Sequence, residues 1–306
     1  MKRTLFISGF LLILLLGCGM EKFTGFITPP DIDSLMVRGW RYYDSVQFDK
    51  AEAAFDSVIA IDVSQLLALV GMGWVKLETN NYYDAKSFFS LTTTGEEASL
   101  ITRVFNEKIP GNEITVDSLL YNTNWKISVK NPNILSVKEV KFFNFSIDTD
   151  TIIHDHDTII VIDTILALES ISPKYFNDSL IYFETDSVPD FIDTIIANYV
   201  SYSPSTVSDT FEWAYAGMGL ANLADEENGE AAVFLGALLK YDSTFTFPHY
   251  PYTNYNNLYG ALAYAFFRIG LYANCVDVLK EAGWDNPPED PFIQIIFLLS
   301  LSKFKI

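Results

Sequence analysis

Residues 39–55 are echoed 34 positions further along the chain. Gly39-Trp40 returns as Gly73-Trp74, Phe48 as Tyr82, Ala51 as Ala85 and Phe55 as Phe89. A period of this length, with small and aromatic residues at fixed places, specifies a helix-turn-helix unit that cannot bury its apolar face alone, so units must stack into a solenoid. Two later stretches keep the same internal spacing. Gly217-Met218-Gly219 copies Gly71-Met72-Gly73, and Ala231 and Leu235 follow Gly219 at the intervals by which Ala51 and Phe55 follow Gly39. A fourth copy runs through Tyr259, Leu262, Ala263, Phe266, Gly270, Tyr272, Cys275, Leu279, Ala282 and Pro287. The last two copies lie 44 residues apart, and the surplus is the aromatic, proline-containing run Ser243 to Tyr252, which reads as an inserted loop.

Each repeated position has a packing reason. Gly or Ala early in the unit and Ala or Cys in its second half let two helices approach closely. The large residue that follows fills the space between neighbouring hairpins. Leu35, Gly39, Tyr42, Phe48, Ala51, Phe55 and Val58 over about 32–65, and Leu69, Met72, Gly73, Tyr82, Ala85 and Phe89 over about 66–99, resemble the tetratricopeptide repeat. The resemblance implies a mainly α, TPR-like helical-hairpin solenoid whose first helices line a concave groove. Carried onto this chain, the groove positions are Met36, Trp40, Tyr43 and Asp44, then Val70, Trp74, Leu77 and Glu78, then Trp213 and Leu220, and finally Tyr264, Phe267 and Arg268. Three of the five tryptophans fall in this set, so it reads as a peptide groove or a stacking platform for sugars. The alternative is that the segment inserted between the second and third repeats folds back and buries these side chains, or that a tightly wound four-repeat array leaves little groove. Met36 and Trp40 stand where the chaperone-type carboxylate clamp has Lys and Asn, so a C-terminal carboxylate is not the expected ligand.

The period breaks between the second and third repeats. Leu100 to Lys108 reads as a helix extension ended by Pro110-Gly111. Strand-like runs follow at Glu113 to Val116, Trp125 to Val129, Val137 to Ile147, Thr151 to Ile153 and Thr158 to Leu168. Asp150-Thr151-Ile152-Ile153 recurs as Asp157-Thr158-Ile159-Ile160, which predicts a β-hairpin turning at His154-Asp155-His156. Pro189 to Tyr199 reads as a helix with Ile192, Ile195, Ile196 and Tyr199 on one side. The segment 100–208 is thus expected to be an acidic, β-rich insertion, making the chain α+β overall.

At the N-terminus, Lys2 and Arg3 precede an apolar run, Leu5 to Leu16, too short to span a bilayer. Leu15-Leu16-Gly17-Cys18 resembles the bacterial lipobox. That resemblance implies a signal peptide over 1–17, acylation of Cys18 and a membrane-anchored envelope lipoprotein. Gly19 stands where one inner-membrane retention signal has Asp, which favours the outer membrane. Residues 18–31 read as a tether, with Asp31 or Asp33 as the first helix cap. Acylation would leave Cys275 as the last thiol, with no intramolecular disulfide. Phe292 to Phe304 reads as a capping helix that closes the unit 209–306.

The formal charge is −19, and cleavage would remove two cations to give −21. Such a surface repels phosphate backbones, so nucleic acid is not an expected partner. Phosphate-cradling loops, zincin motifs and nucleophile elbows are absent from the sequence. His154 and His156 would share one face of a strand and are the candidate metal ligands, weighed against a solvated polar turn, which is the preferred reading. From 142 to 209, twelve acidic residues face the single cation Lys174, read as a solvated rim in preference to a cation site. No cofactor is expected. The expectation is therefore a non-enzymatic scaffold that binds another envelope protein or peptide through its groove. The competing reading is a surface lipoprotein that captures a glycan on the same aromatics.

Overall fold

The computed structural model describes residues 31–93, 99–110, 114–119, 122–154, 157–185, 194–203, 207–250 and 253–284. The expected signal peptide, Cys18, most of the tether, His156 and the capping helix over 292–304 lie outside the described residues. Among the described residues there are four helix pairs: α1 (Ile32–Asp44) with α2 (Phe48–Ile61), α3 (Leu66–Glu78) with α4 (Tyr82–Thr93), α5 (Asp209–Ala224) with α6 (Asn228–Tyr241), and α7 (Tyr255–Arg268) with α8 (Tyr272–Glu281). Asp31 occupies the first N-cap but makes no side-chain capping bond.

Three residues join the helices of every pair, which makes each pair an antiparallel hairpin. The middle residue of each turn is left-handed: Val46, Asn80, Glu226 and Gly270. The residue after it donates its N–H to the helix five positions back in all four cases. These bonds are Gln47 to Tyr42, 2.9 Å, Asn81 to Lys76, 2.8 Å, Glu227 to Asn222, 2.8 Å, and Leu271 to Phe266, 2.9 Å. This Schellman-type closure satisfies carbonyls that the helix end would otherwise orphan.

The small and large positions of the period interlock. A methyl group on Gly39 or Gly71 would fall 2.5 Å or 2.6 Å from the ring of Phe55, so that ring is gripped by two glycines from successive first helices. Phe89 is gripped in the same way by Gly73 and by Gly217. Ala51, Ala85, Ala231 and Cys275 are all fully buried. Consecutive helices pack in chain order, with α4 directly against α5 across the intervening segment, and the first helices α1, α3, α5 and α7 adjoin one another.

That intervening segment forms two antiparallel sheets. One has the order β1 (Ile101–Pro110), β8 (Thr194–Tyr202), β4 (Ile134–His154), β5 (Asp157–Ile171), and the other β2 (Ile114–Leu119), β3 (Asn122–Ser128), β7 (Leu180–Thr185), β6 (Tyr175–Asn177). The strand leaving α4 and the strand returning to α5 lie side by side, with Ile101 opposite Tyr202 and the Ser203 N–H donating to the Leu100 carbonyl at 2.9 Å. The excursion is therefore closed at its base, and α5 can meet α4. Leu100, itself fully buried, also donates its N–H to the Tyr215 hydroxyl at 2.9 Å.

Two expectations are corrected here. The helix extension over Leu100 to Lys108 is strand β1, and the helix over Pro189 to Tyr199 is, from Thr194 on, strand β8. The spacing of Ile195, Ile196 and Tyr199 suits one helix face, but these β-branched and aromatic residues are paired on both sides, by β1 and β4. Ile195, Ala197 and Tyr199 are buried, with Ile196 and Asn198 between them only half-buried, the alternation of a strand. The strand runs expected at 137–147 and 151–153 are one strand, β4, and β6 and β7 were not anticipated. The β4–β5 hairpin ends with His154 opposite Asp157.

The sheets rest on the second helices of the later hairpins. Arg103 and Lys138 both reach Glu230 of α6, at 2.7 Å and 2.8 Å. Asn274 of α8 donates to the Phe176 carbonyl at 2.8 Å, and the Tyr175 hydroxyl meets Asp277 at 3.0 Å. Leu135 packs against Gly236. This leaves the first helices, on the opposite side of each hairpin, for another role.

Candidate binding face

The first helices carry the expected groove residues, but their aromatic side chains are not open. Met36, Trp40, Tyr43, Val70 and Trp74 are buried, Leu77, Glu78, Trp213, Leu220, Tyr264 and Phe267 are half-buried, and only Asp44 and Arg268 are exposed. Trp74 is 1% exposed. The reason is the loop between α6 and α7. After α6, Asp242 receives the N–H and hydroxyl of Thr244, just as Asp62 after α2 receives those of Ser64. There the resemblance ends. Phe245 to Phe247 run extended, with Phe245 and Phe247 buried and Thr246 exposed, and the chain then turns, the Tyr250 N–H donating to the Phe247 carbonyl at 3.3 Å, with Pro248 exposed, His249 half-buried and Tyr250 exposed. It closes on itself through Phe247 N–H to Thr253, 2.8 Å, and Tyr255 N–H to Phe245, 2.7 Å.

The bridge between Thr246 and Asn254 and the turn after Phe247 together send Phe247 and His249 into the face. Phe247 stacks on Trp74, centroids 4.1 Å apart and planes 15° apart, and meets Trp40, Tyr43 and Trp213 edge-on. His249 stacks on Trp40 at 4.0 Å and 9°, and its Nδ1 lies 2.9 Å from Asp44. The structure thus joins Trp40, Tyr43, Asp44, Trp74 and Trp213 into one cluster with two loop residues that the repeat positions did not include. The alternation Phe245, Phe247, His249 was the sequence signal for them. Tyr264 and Arg268 pair with each other at 2.6 Å, and Phe267 packs on Tyr272.

Two polar features of the face are unusual. Among the described residues, the buried indole N–H groups of Trp40 and Trp74 have no hydrogen-bond partner, a cost of about 1–3 kcal/mol each. The Tyr43 hydroxyl donates to Glu78 Oε1 at 3.3 Å. Burial, and then the Glu78 carboxylate, hold the Tyr43 phenol far above its ordinary range. Burial also raises Glu78, and the Tyr43 hydrogen bond partly offsets this. Beside them a depression of about 290 Å³ remains open, walled by Trp74, Leu77, Glu78 and Leu220 and by Tyr250 and Thr253 of the loop.

Elsewhere, a cavity of about 300 Å³ lies in the seam between β6 and helices α6–α8. Among the described residues, no group of three or more His, Cys, Asp or Glu side chains could hold a metal ion, and no helix is long and apolar enough to cross a membrane. His154 ends β4, and His156, its expected partner, is outside the described residues. No protein-family model, curated protein or solved structure matches the chain.

Proposed function

We propose that this chain is a lipid-anchored envelope lipoprotein whose helical hairpins form a TPR-like solenoid serving as a non-enzymatic, protein-binding scaffold. The observation that carries this reading is the grip on Phe89. Gly73 and Gly217 hold it as Gly39 and Gly71 hold Phe55, so the array continues across an excursion of more than a hundred residues. A stack kept in register in this way supports an extended face of first helices, which is how helical-repeat proteins bind their partners. Leu15-Leu16-Gly17-Cys18 supplies the anchor in this reading. With Trp40 and Trp74 buried under Phe247 and His249, few aromatic faces are left for sugars to stack on, which favours a protein partner over a glycan.

The test is site-specific photo-crosslinking in the native envelope. A photoreactive residue at Asn80, on the rim of the open depression, is expected to capture a defined envelope protein. The same probe at Tyr83, exposed on α4, is expected not to. Equal capture at both sites, or none, overturns the scaffold reading. Lipid labelling that survives Cys18→Ser overturns the anchor.

A further inference from the structure

The geometry points to the depression beside Glu78 as a socket for one basic side chain, a lysine or arginine of the bound protein. This rests on the scaffold reading above and names what the partner must present.

The argument comes from a comparison internal to the chain. Trp40 and Asp44 recur one period later as Trp74 and Glu78, each acid being the last residue of its helix. A carboxylate there opposes the negative end of the helix dipole and calls for a cation or a hydrogen-bond donor. In the first repeat that need is met by the loop, because His249 covers Trp40 and brings Nδ1 to Asp44 at 2.9 Å. In the second, Phe247 covers Trp74 and carries no polar group. Glu78 is left half-buried, with the Tyr43 hydroxyl at 3.3 Å and, among the described residues, no cation within ion-pair distance. The nearby Lys76 is engaged elsewhere, with Glu52 at 2.7 Å. A carboxylate withdrawn from water without a counter-charge is unfavourable, and an incoming cation relieves it.

The shape agrees with the charge. The depression, about 290 Å³, sits at the bottom of the range for small-molecule sites, roughly 300–1,000 Å³, and suits a single long side chain. Leu77 and Leu220 offer apolar walls for an aliphatic stem, and Glu78 offers the acceptor for its charged head. Trp74 lines the same space, so its indole reports what enters it. A formal charge of −19 draws a basic segment toward the face.

Three acetylated pentapeptides that differ only in a central lysine, arginine or norleucine, titrated into the full mature protein, test the socket. The readout is the indole ¹H–¹⁵N signal of Trp74. Lysine and arginine peptides are expected to shift it saturably, and norleucine is not. Glu78→Gln, which keeps an acceptor for Tyr43, is expected to weaken lysine binding about tenfold, the order of one lost charge-assisted contact. Glu78→Asp is expected to retain the preference for lysine. Equal binding of lysine and norleucine, an unchanged affinity in Glu78→Gln, or no shift at millimolar peptide each overturns the socket. If capture at Asn80 persists in Glu78→Gln, the socket falls while the scaffold stands. Loss of capture at Asn80 in the unaltered protein removes both.

Discussion

The ring of Phe89 lies against the backbone of Gly217, a residue separated from it in sequence by the whole β-rich segment. A Cβ at 217 would overlap the Phe89 ring, and its neighbours in the buried core leave that ring nowhere to go. Gly217→Ala is therefore expected to destabilise the protein by about 1–3 kcal/mol, the usual cost of overpacking a tight core. Gly229, also helical, has nothing within 4 Å of its would-be Cβ. Gly229→Ala should be neutral or stabilising by up to about 1 kcal/mol. Urea unfolding of the two variants checks the contrast, and equal midpoints would refute the inter-hairpin grip.

The four hairpin turns share one backbone shape but not one residue. Gly270 suits the left-handed middle position, Asn80 tolerates it, and Val46 is forced into it at φ 57°. A β-branched residue at positive φ is strained by about 1–2 kcal/mol. Val46 is also 71% exposed, so its side chain contributes little packing in return. Val46→Gly or Val46→Asn should raise stability by about 1 kcal/mol, visible as a higher thermal midpoint. A lower midpoint in both would mean that the turn is held by the valine side chain.

The helical half of the fold was legible because close helix contacts need particular volumes at particular places. Gly39, Ala51 and Phe55 announce the same geometry as Gly73, Ala85 and Phe89. The turn at Val46 was not legible, since its left-handed shape follows from the hairpin and not from the residue. Strand β8 was misread because Ile195, Ile196 and Tyr199 satisfy a helical spacing as well as a strand one. The choice was made by partners in β1 and β4, far away in sequence. The candidate binding face was half legible. Its tryptophans stand at the repeat positions, but the segment that covers them comes from the loop after α6, some two hundred residues after Trp40. Only the alternation of Phe245, Phe247 and His249 hinted that this loop has a buried side.

Phe247 is fully buried and touches Trp40, Tyr43, Trp74 and Trp213. Phe247→Ala should cost about 3–5 kcal/mol, as for other large core aromatics. It should also alter the near-ultraviolet circular dichroism that the stacked tryptophans produce. Pro248→Ala, at an exposed position of the same loop, should leave both nearly unchanged. If Phe247→Ala were as mild as Pro248→Ala, the loop would be an ornament on the face and not part of its core.

Glu212 gives the molecule a pH dependence of identifiable sign. Burial first, then the nearby Asp242 and Asp209, raise its carboxyl from 4.5 to about 6. A raised folded-state value means that the folded protein holds this proton more tightly than the unfolded chain does. The resulting stability is fully present below about pH 4.5 and is lost as the pH rises through about 6. At pH 7 the charged group is a liability, of roughly 1 kcal/mol once its partial exposure is allowed for. Glu212→Gln removes the titrating proton and keeps the shape. The variant should be more stable than the parent at pH 7 and equal to it near pH 4.5, with the difference growing between those values. Denaturant midpoints measured at half-unit steps across that window would follow it. A difference that does not change with pH would assign the effect to something other than this carboxyl.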